Sequence, residues 1–413
     1  MTAWGGAPLG GVPRTCDVAV VGGGIVGLAT ALALLERKAG RVLVLEAEEE
    51  PALHQSGRNS RIIHSGLYYA PGSAKARLCA EGREDLYDFC REHGLPVRRT
   101  GKLVVASGED DLPVLQRLAE RGRANGLEGL SLLDPEEVRE LEPGVAALGA
   151  LHVQETGIVD FGEVTRAMGR QVSENPQGVV ELGCRVLSAS VGRESVRIRT
   201  SRGDVEAGSL VNCAGLQADR VASRCGIRSA LRIIPFRGDY FEVRSHRGDI
   251  VSRPVYPVPD PDFPFLGVHL HPTIDGRLEA GPNAVLALAR NGYSPLSVNL
   301  RDTLQILGFS GFWKLAGRHW RQAAGEMLRA ASRRRFAHAV RRLVPAVAPT
   351  DLRRSRSGLR AQAVDPDGRL LDDFHFESGE RMLHVLNSPS PGATASLAIG
   401  RHVAERLLCG ILS

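Results

Sequence analysis

The 413-residue sequence lacks several features that mark particular classes of protein. Its seven cysteines form no CxxC pair, which argues against a metal site or a disulfide framework and favours a reducing compartment. No run of 18 or more apolar residues occurs, so we expect no membrane-spanning helix. Residues 1–15 contain one Arg and no apolar stretch, which is typical of neither a secretory signal nor a mitochondrial presequence. We therefore expect a cytoplasmic protein with a loose N-terminal arm.

A strong excess of one charge is also missing. The 52 basic residues against 47 acidic ones leave a formal net charge of +5, and aromatic residues make up only 5% of the chain. A mild positive excess without interleaved aromatics does not indicate a nucleic-acid-binding protein. The 43% hydrophobic content is that of a globular chain, and the length predicts a nucleotide-binding domain that carries a second domain.

The most informative feature that is present is a glycine-rich loop near the N-terminus. A short apolar strand over 17–21 precedes the loop, a helix over about 25–37 follows it, and a second strand over 41–45 ends at Glu46. This βαβ unit predicts parallel strands joined by a right-handed crossover. The residues that we expect to hold the phosphates of a dinucleotide are Gly22, Gly24, Ile25, Val26 and Gly27.

Each residue type in the loop has a physical reason. Gly22 permits the tight turn, Gly24 lets the backbone approach a pyrophosphate, and Gly27 allows close packing of helix on strand. The helix N-terminus adds free N–H groups and partial positive charge. Glu46 follows Gly22 by 24 residues, so its carboxylate is expected to accept from the adenosine ribose hydroxyls.

A later strand favours FAD over a nicotinamide cofactor. Residues 209–215 form an apolar strand that ends in Ala214-Gly215, and two-domain FAD proteins place such a strand against the dinucleotide. The sequence contains one GxGxxG motif, so no second nucleotide site is visible. We therefore predict FAD as the cofactor, with Ala214 and Gly215 beside it.

The predicted fold class is α/β with an α+β substrate domain. A discontinuous Rossmann-like FAD-binding domain is left and re-entered, and residues 233–279 supply an antiparallel sheet for substrate binding. The predicted FAD-binding segments are 14–106, 155–228 and 353–413, and the predicted substrate-domain segments are 107–154 and 229–352.

Small and polar residues are concentrated just after Glu46, between positions 53 and 69. Arg58, Asn59 and Ser60 are expected to donate to phosphate or flavin oxygens. His64 lies among small and apolar residues that could form the floor of a ring site. A structural, hydrogen-bonded histidine is the equal alternative for His64.

Several motifs carry a family resemblance: Ile63-His64-Ser65-Gly66-Leu67-Tyr68-Tyr69, Thr156-Gly157-Ile158-Val159-Asp160, Pro235-Phe236-Arg237-Gly238-Asp239-Tyr240, Tyr256-Pro257-Val258-Pro259-Asp260, Pro264-Phe265-Leu266-Gly267-Val268-His269, Gly281-Pro282-Asn283-Ala284 and Arg360-Ala361-Gln362-Ala363. With these motifs the chain resembles the L-2-hydroxyglutarate dehydrogenase (oxidase) family, in the wider D-amino-acid-oxidase-like group of FAD proteins. The resemblance extends nearly to the C-terminus. It implies oxidation of L-2-hydroxyglutarate to 2-oxoglutarate, with a hydride passed to flavin N5 and the electrons passed on to a quinone or to oxygen.

This chemistry needs a proton acceptor and donors for two carboxylates. A neutral imidazole suits the first role. We place His64 ahead of His269 because His64 lies within residues 53–69, the segment expected to contact the flavin and here called the flavin segment. Arginine grips carboxylates bidentately, which makes Arg237 and Arg360 the substrate candidates. Tyr256 could add a hydroxyl donor. For the arginines the alternative is a surface or ion-pair role, and for Tyr256 it is a packed sheet aromatic.

A proline-rich loop precedes the last helix. Its backbone N–H groups are expected to face the flavin pyrimidine and to stabilise negative charge on the reduced ring, or only to cap the helix. The cofactor residues predicted in this loop are Pro391, Gly392, Ala393 and Thr394.

The chain departs from the family pattern at a few positions. Arg61 stands where relatives usually carry glycine, and we expect this cation to touch the flavin or the pyrophosphate. Ser357, Ser388 and Gly392 replace alanines of the pattern.

Residues 312–342 mix aromatic and basic side chains. They form either a solvated helical face or an interfacial helix that docks on anionic lipid, which would suit an enzyme that reduces a membrane quinone and lies on the inner face of the cytoplasmic membrane. Two other functions stay open: a related FAD-dependent amino-acid or amine oxidase or glycerol-3-phosphate dehydrogenase, and a flavin-binding protein without catalysis.

Overall fold

The computed structural model describes residues 13–244, 250–259 and 267–412. Most of the predicted N-terminal arm, at 1–12, lies outside the described residues. So do Asp260 and residues 264–266 of the family motifs. Structural statements below concern the described part of the chain.

The strands are β1 (Thr15–Val21), β2 (Val42–Leu45), β3 (Ile62–Ile63), β4 (Val97–Arg99), β5 (Lys102–Ala106), β6 (Leu130–Leu133), β7 (Gly149–Val153), β8 (Gly157–Val159), β9 (Gly178–Glu181), β10 (Val186–Val191), β11 (Val196–Thr200), β12 (Gly203–Asn212), β13 (Arg232–Val243), β14 (Val255–Pro257), β15 (His269–Pro272), β16 (Leu278–Gly281), β17 (Val285–Leu286), β18 (Leu352–Val364), β19 (His375–Gly379) and β20 (Met382–Asn387). The helices are α1 (Ile25–Glu36), α2 (Ala74–Glu92), α3 (Leu112–Ala124), α4 (Pro135–Leu141), α5 (Phe161–Glu174), α6 (Ala218–Arg224), α7 (Leu300–Leu307), α8 (Ser310–Ala331), α9 (Arg333–Arg341) and α10 (Ser396–Leu412).

The first sheet carries the predicted βαβ unit. β1 lies between β12 and β2, and all three strands are parallel. β9 continues the sheet beside β2, and β20 pairs with β12, again in parallel. β10 and β11, by contrast, form an antiparallel pair. Parallel pairing buries residues 18–21 of β1 and the whole of β2 on both faces, which explains the unbroken apolar sequence of each stretch.

Helices cover one face of this sheet. α1 packs against α10 and α5, and α2 packs against α10. The core between the helices and the sheet contains fully buried side chains such as Leu28, Leu34, Val44 and Ile399. A Cβ at Gly400 would lie 2.5 Å from the backbone of Ala29, so the close approach of α10 to α1 depends on glycine at that position.

The second sheet is largely antiparallel, as predicted, and runs in the order β17-β13-β16-β15-β14-β5-β7-β6, with β18 paired along β13. Two of its strands lie within segments that were predicted to belong to the FAD-binding domain. The other segment boundaries stay a prediction. β5 falls inside the predicted segment 14–106, yet it pairs with β14 and β7. β18 opens the predicted segment 353–413, yet it pairs with β13. Sequence alone could not separate β5 from the first sheet, because its short buried apolar run is like those of β1 and β2.

The basic region 312–342, predicted to be helical, falls in α8 and α9. α7 precedes it, and α8 has a kink at His319. α9 buries Phe336 and Val340 against the second sheet, whereas few residues of α8 are buried. No helix among the described residues is both long and apolar enough to cross a membrane.

Candidate active site

A cavity of about 1570 Å³ connects the glycine loop with the second sheet. Pockets for small ligands have volumes of roughly 300–1000 Å³, so this cavity has room for a dinucleotide and a small substrate together. Its lining includes most of the residues that the sequence singled out. These are Gly22, Gly24, Ile25, Val26, Glu46, Arg58, Asn59, Ser60, His64, Ala214, Gly215, Tyr256, His269, Arg360, Pro391, Gly392, Ala393 and Thr394.

The glycine loop is built as its sequence predicts. Gly22 has φ of +109°, and a Cβ there would lie 2.6 Å from the carbonyl oxygen of Cys213 at the end of β12. A Cβ at Gly27 would lie 2.0 Å from the carbonyl oxygen of Gly22. Gly27 is not among the lining residues and instead lets α1 pack on the loop. The N-terminus of α1 therefore reaches the cavity with its N–H groups, the arrangement that binds phosphate.

Glu46 follows β2 and brings a carboxylate to the same cavity. Its Oε2 accepts from the Gly23 N–H at 2.5 Å, and its Oε1 accepts from the Glu48 N–H at 2.9 Å. These bonds fix the carboxylate beside the glycine loop, where an adenosine ribose is expected.

The predicted donors after Glu46 are partly occupied by the protein itself. The side-chain amide of Asn59 donates to the carbonyl oxygens of Gln55 and Ser56, at 3.1 and 2.8 Å. The Arg58 guanidinium lies 4.1 Å from the ring centroid of Tyr293. Both side chains therefore stabilise the wall of the cavity that they line, and their direct bonds to a cofactor stay a prediction.

Arg61 does not lie where the sequence suggested. It adopts φ of +59°, the left-handed region that glycine favours, and its guanidinium lies 3.4 Å from the Asp160 carboxylate. It is absent from the described lining of the cavity. The expected contact of Arg61 with the flavin or pyrophosphate is therefore not supported, because the side chain is turned towards Asp160.

His64 joins the flavin segment to the C-terminal loop. Its backbone N–H donates to Thr394 Oγ1 at 3.0 Å, and its Nε2 lies 3.2 Å from Ser390 Oγ. Burial, followed by the charges of Lys102 and Arg360, lowers the pKa of His64 to about 3. The imidazole is therefore neutral at physiological pH and is held in place by the loop.

His269 has a different environment. Its ring stacks on Tyr256 with centroids 4.0 Å apart and planes at 11°. Its Nδ1 lies 3.4 Å from the carbonyl oxygen of Gly267, and its buried Nε2 has no hydrogen-bond partner among the described residues. A carbonyl can only accept, so this contact assigns the proton to Nδ1 and leaves a lone pair on Nε2. Burial lowers the pKa of His269 well below its usual value, which keeps the ring neutral.

The register of the second sheet places the two candidate arginines on opposite faces. Arg360 is opposite Phe236, and Arg237 is opposite Leu359, so the two side chains project from opposite faces of the β13–β18 pair. Arg360 lines the cavity, and burial lowers its pKa.

Arg237 is absent from the described lining. Its Nε donates to Asp239 at 2.9 Å and its Nη1 donates to the Ser294 carbonyl at 3.2 Å. The predicted substrate role of Arg237 is therefore not supported. Ser357, one of the departures from the family pattern, donates to the same Asp239 carboxylate at 2.9 Å.

The other two positions that depart from the family pattern, Ser388 and Gly392, lie next to each other. Both line the cavity, and a Cβ at 392 would lie 2.6 Å from Ser388 Oγ. That hydroxyl is buried and has no partner among the described residues. Alanine at 392 would therefore displace the Ser388 side chain, so the two replacements depend on each other.

Lys102 lies behind two tyrosines that line the cavity, and it is not among the residues predicted from the sequence. It is 2% exposed, and its ammonium nitrogen lies 4.2 Å from the ring centroid of Tyr68 and 5.2 Å from that of Tyr256. Burial lowers its pKa to about 7. No carboxylate among the described residues forms an ion pair with it. The sequence feature that could have identified Lys102 is a lysine at the start of an otherwise apolar strand.

A family model described as "FAD dependent oxidoreductase" matches residues 17–406. The chain belongs to this family. A protein named L-2-hydroxyglutarate dehydrogenase from Indibacter alkaliphilus is 44% identical over 394 residues, which cover 94% of this chain and 98% of that protein. A protein of the same name from Escherichia coli strain K12 is 39% identical over 393 residues, which cover 95% of this chain and 93% of that protein. The family resemblance drawn from the motifs is therefore confirmed.

The fold has solved counterparts. L-alpha-glycerophosphate oxidase from Mycoplasma pneumoniae, in a structure with FAD bound, superposes with a TM-score of 0.78 at 20% identity, and the alignment covers 95% of each chain. This match confirms the predicted fold class.

FAD is the cofactor of this protein, and the residues present fit it. Gly22 and Gly24 line the cavity at the N-terminus of α1, and Glu46 presents its carboxylate beside this loop. The FAD-dependent oxidation predicted from the sequence is thereby supported at the level of cofactor and reaction class.

Proposed function

We propose that this protein oxidises L-2-hydroxyglutarate to 2-oxoglutarate. One observation carries the proposal: the cavity that begins at the dinucleotide loop is also lined by neutral, buried His269 and by the half-buried arginine Arg360. The names of the curated relatives support the same substrate. FAD, when bound, supplies the two-electron acceptor for this reaction.

His269 is the proposed acceptor of the hydroxyl proton. Its Nδ1–H faces the Gly267 carbonyl, so Nε2 keeps a lone pair inside the cavity lining. His64 is the less suitable base, because its Nε2 lies within hydrogen-bond distance of Ser390 and its position fixes the C-terminal loop. The stack on Tyr256 holds the imidazole of His269 and excludes water from one of its faces.

Arg360 is the proposed partner of the distal carboxylate of the substrate, the one that lactate lacks. A guanidinium can bind a carboxylate through two parallel hydrogen bonds, and burial strengthens such bonds. Lys102 adds positive charge behind the tyrosines Tyr68 and Tyr256 that line the cavity. A dianion that enters the site also favours the protonated imidazole, so substrate binding raises the proton affinity of the proposed base.

A substrate panel tests this proposal. Under anaerobic conditions the flavin of the protein should bleach with L-2-hydroxyglutarate and much more slowly with L-lactate, glycine or glycerol 3-phosphate. An Arg360→Ala variant should weaken binding of the dicarboxylate far more than that of lactate. Faster bleaching by an amino acid or by glycerol 3-phosphate would replace the proposed substrate.

We further propose that the electrons leave to a quinone in an anionic membrane. The supporting feature is a surface, here called the apolar rim, in which nine exposed large apolar side chains fall within residues 296–328. Leu296, 89% exposed, and Val298 also line the cavity, so the rim reaches its edge. Trp320 and Met327 both lie after the kink of α8. They are seven residues apart and therefore share one helical face. The other members are Leu300, Leu304, Leu307, Trp313 and Leu328.

Cations accompany the rim, including Arg301 and Arg321, which suits anionic headgroups. Exposed aromatic and aliphatic side chains next to cations are the composition of a helix that lies in a membrane interface. A solvated helical face, the alternative from the sequence, would not require so many exposed apolar side chains.

Co-sedimentation with vesicles tests the rim. The protein should pellet with vesicles that contain anionic lipid and remain in solution with purely zwitterionic vesicles. The variant Trp320→Gln/Met327→Gln should lose most of this binding, whereas the control Leu132→Gln, which removes an exposed leucine outside the rim, should retain it. Equal binding by both variants, or binding to neither vesicle, would remove the membrane from the proposal.

A further inference from the structure

Two arginines of α3 lie at an opening of the cavity. Arg117 and Arg121 are exposed, and both line the cavity together with Val114 and Leu118 of the same helix. Residues 117 and 121 are four apart, so the two guanidinium groups lie on the same face of α3. The cavity therefore opens to solvent beside two positive charges.

α3 is fastened to the segment that follows His64. The Nη1 of Arg121 donates to the carbonyl oxygen of Tyr68 at 3.2 Å. The side-chain amide of Asn125 donates to the carbonyl oxygens of Gly66 and Tyr69, at 3.0 and 2.9 Å. The arginine-lined opening is thus held next to the histidine end of the cavity.

The charge balance at this opening is positive. Among the described residues, no carboxylate forms an ion pair with Arg117 or Arg121. Asp372 also lines the cavity, but its carboxylate lies 2.8 Å from the ammonium of Lys75, which compensates its charge. Like charges four residues apart on a helix repel each other, so the pair carries a stability penalty that folding alone does not explain.

We propose that Arg117 and Arg121 form the entrance for the dicarboxylate substrate and capture it electrostatically before it reaches Arg360. This inference rests on the proposed function, because a dianion is the ligand that gains most from two cations whose charge no carboxylate among the described residues compensates. Charged openings raise the association rate of an oppositely charged ligand by about 10-fold to 1000-fold, and added salt suppresses the effect. The two residues act on the approach of the substrate and take no part in the proton transfer.

The side chains at this opening differ in chemical character from those of the apolar rim. Arg117 and Arg121 present charge, whereas Leu296 and Val298 at the rim present aliphatic groups to the same cavity. The arginines should therefore affect the reductive half-reaction with substrate and leave reoxidation of the flavin by a quinone analogue unchanged.

The experiment compares the double variant Arg117→Gln/Arg121→Gln with the control Arg123→Gln. Arg123 is an exposed cation of the same helix that does not line the cavity in the described structure. At low ionic strength the double variant should lose about tenfold in kcat/KM for L-2-hydroxyglutarate while kcat changes less than twofold. The difference should vanish near 1 M salt, where the Debye length is about 3 Å. The control should stay within twofold of wild type under all conditions.

Failure of the inference and failure of the proposed function give different results. If L-2-hydroxyglutarate reduces the flavin but the double variant behaves like Arg123→Gln, the entrance role is overturned and the substrate stands. If L-2-hydroxyglutarate does not reduce the wild-type flavin, the proposed function is overturned. Binding of glutarate, followed by the change in flavin fluorescence, then tests the entrance alone. A salt-dependent affinity that only the double variant loses supports the entrance, and equal affinities in all three proteins overturn it.

Discussion

Replacing His269 with Gln should slow reduction of the flavin by L-2-hydroxyglutarate by about 100-fold or more. Glutamine retains a planar polar group that can pack against Tyr256, whose ring lies 4.0 Å from the imidazole, but it has no basic nitrogen. Loss of a general base typically costs about 100-fold to 10,000-fold in rate. At 1.36 kcal/mol for each factor of ten, this corresponds to about 3–5 kcal/mol in the activation barrier.

The assay is anaerobic stopped-flow reduction at saturating substrate, with FAD content measured first so that cofactor loss is not mistaken for slow chemistry. His64→Gln is the comparison variant, because an amide at position 64 can still bond Ser390 Oγ, which lies 3.2 Å from the present Nε2. We expect His64→Gln to lose less than tenfold, well under the range for a general base. A near-normal rate for His269→Gln with a large loss for His64→Gln would transfer the role of base to His64.

The pH dependence has a definite sign. Burial lowers the pKa of His269 well below its usual value, so the ring is neutral and able to accept a proton throughout the neutral range. The acidic limb of kcat/KM should therefore lie below the ordinary histidine pKa of about 6.5. It should disappear in His269→Gln, and an unchanged limb in that variant would assign it to another group.

Three further changes test separate parts of the structure. Gly27→Ala should abolish FAD binding, since its Cβ would lie 2.0 Å from the Gly22 carbonyl oxygen, and a purified variant with full flavin absorbance would contradict this. Lys102→Met should raise Tm most below pH 7, because the pKa of Lys102 is about 7 in the folded protein and its charge is costly there. The gain, a few kcal/mol on the scale of about 1.4 kcal/mol per pKa unit, should shrink as the pH rises towards 10, and a pH-independent gain would refute it. Arg61→Gly should leave FAD content unchanged, because the guanidinium faces Asp160, and loss of flavin would restore the predicted cofactor contact.

The dinucleotide site could be predicted because its determinants are local. The strand, the glycine loop, α1 and Glu46 lie within a short stretch of chain, and each residue type follows from a turn, a close approach or a helix end. The late strand that ends before Gly215 was recognised for the same reason, since its apolar run stops at a glycine.

The substrate end could not be resolved from sequence, because it depends on pairing between distant strands. Arg237 and Arg360 both have apolar neighbours in sequence, and only the register of β13 against β18 shows that they lie on opposite faces. Lys102 begins an otherwise apolar strand, and its burial depends on how that strand packs against Tyr68 and Tyr256. The arginines of α3 have the spacing of an ordinary solvated helix face, and their place at the cavity depends on how α3 packs against residues 66–69.

Anaerobic reduction of the bound flavin by L- and D-2-hydroxyglutarate decides whether the protein has the proposed activity. The L-isomer should reduce the flavin fully and the D-isomer little or not at all, and a quinone analogue should reoxidise the reduced protein. Absence of reduction by L-2-hydroxyglutarate in a protein that carries stoichiometric FAD would contradict the proposed activity.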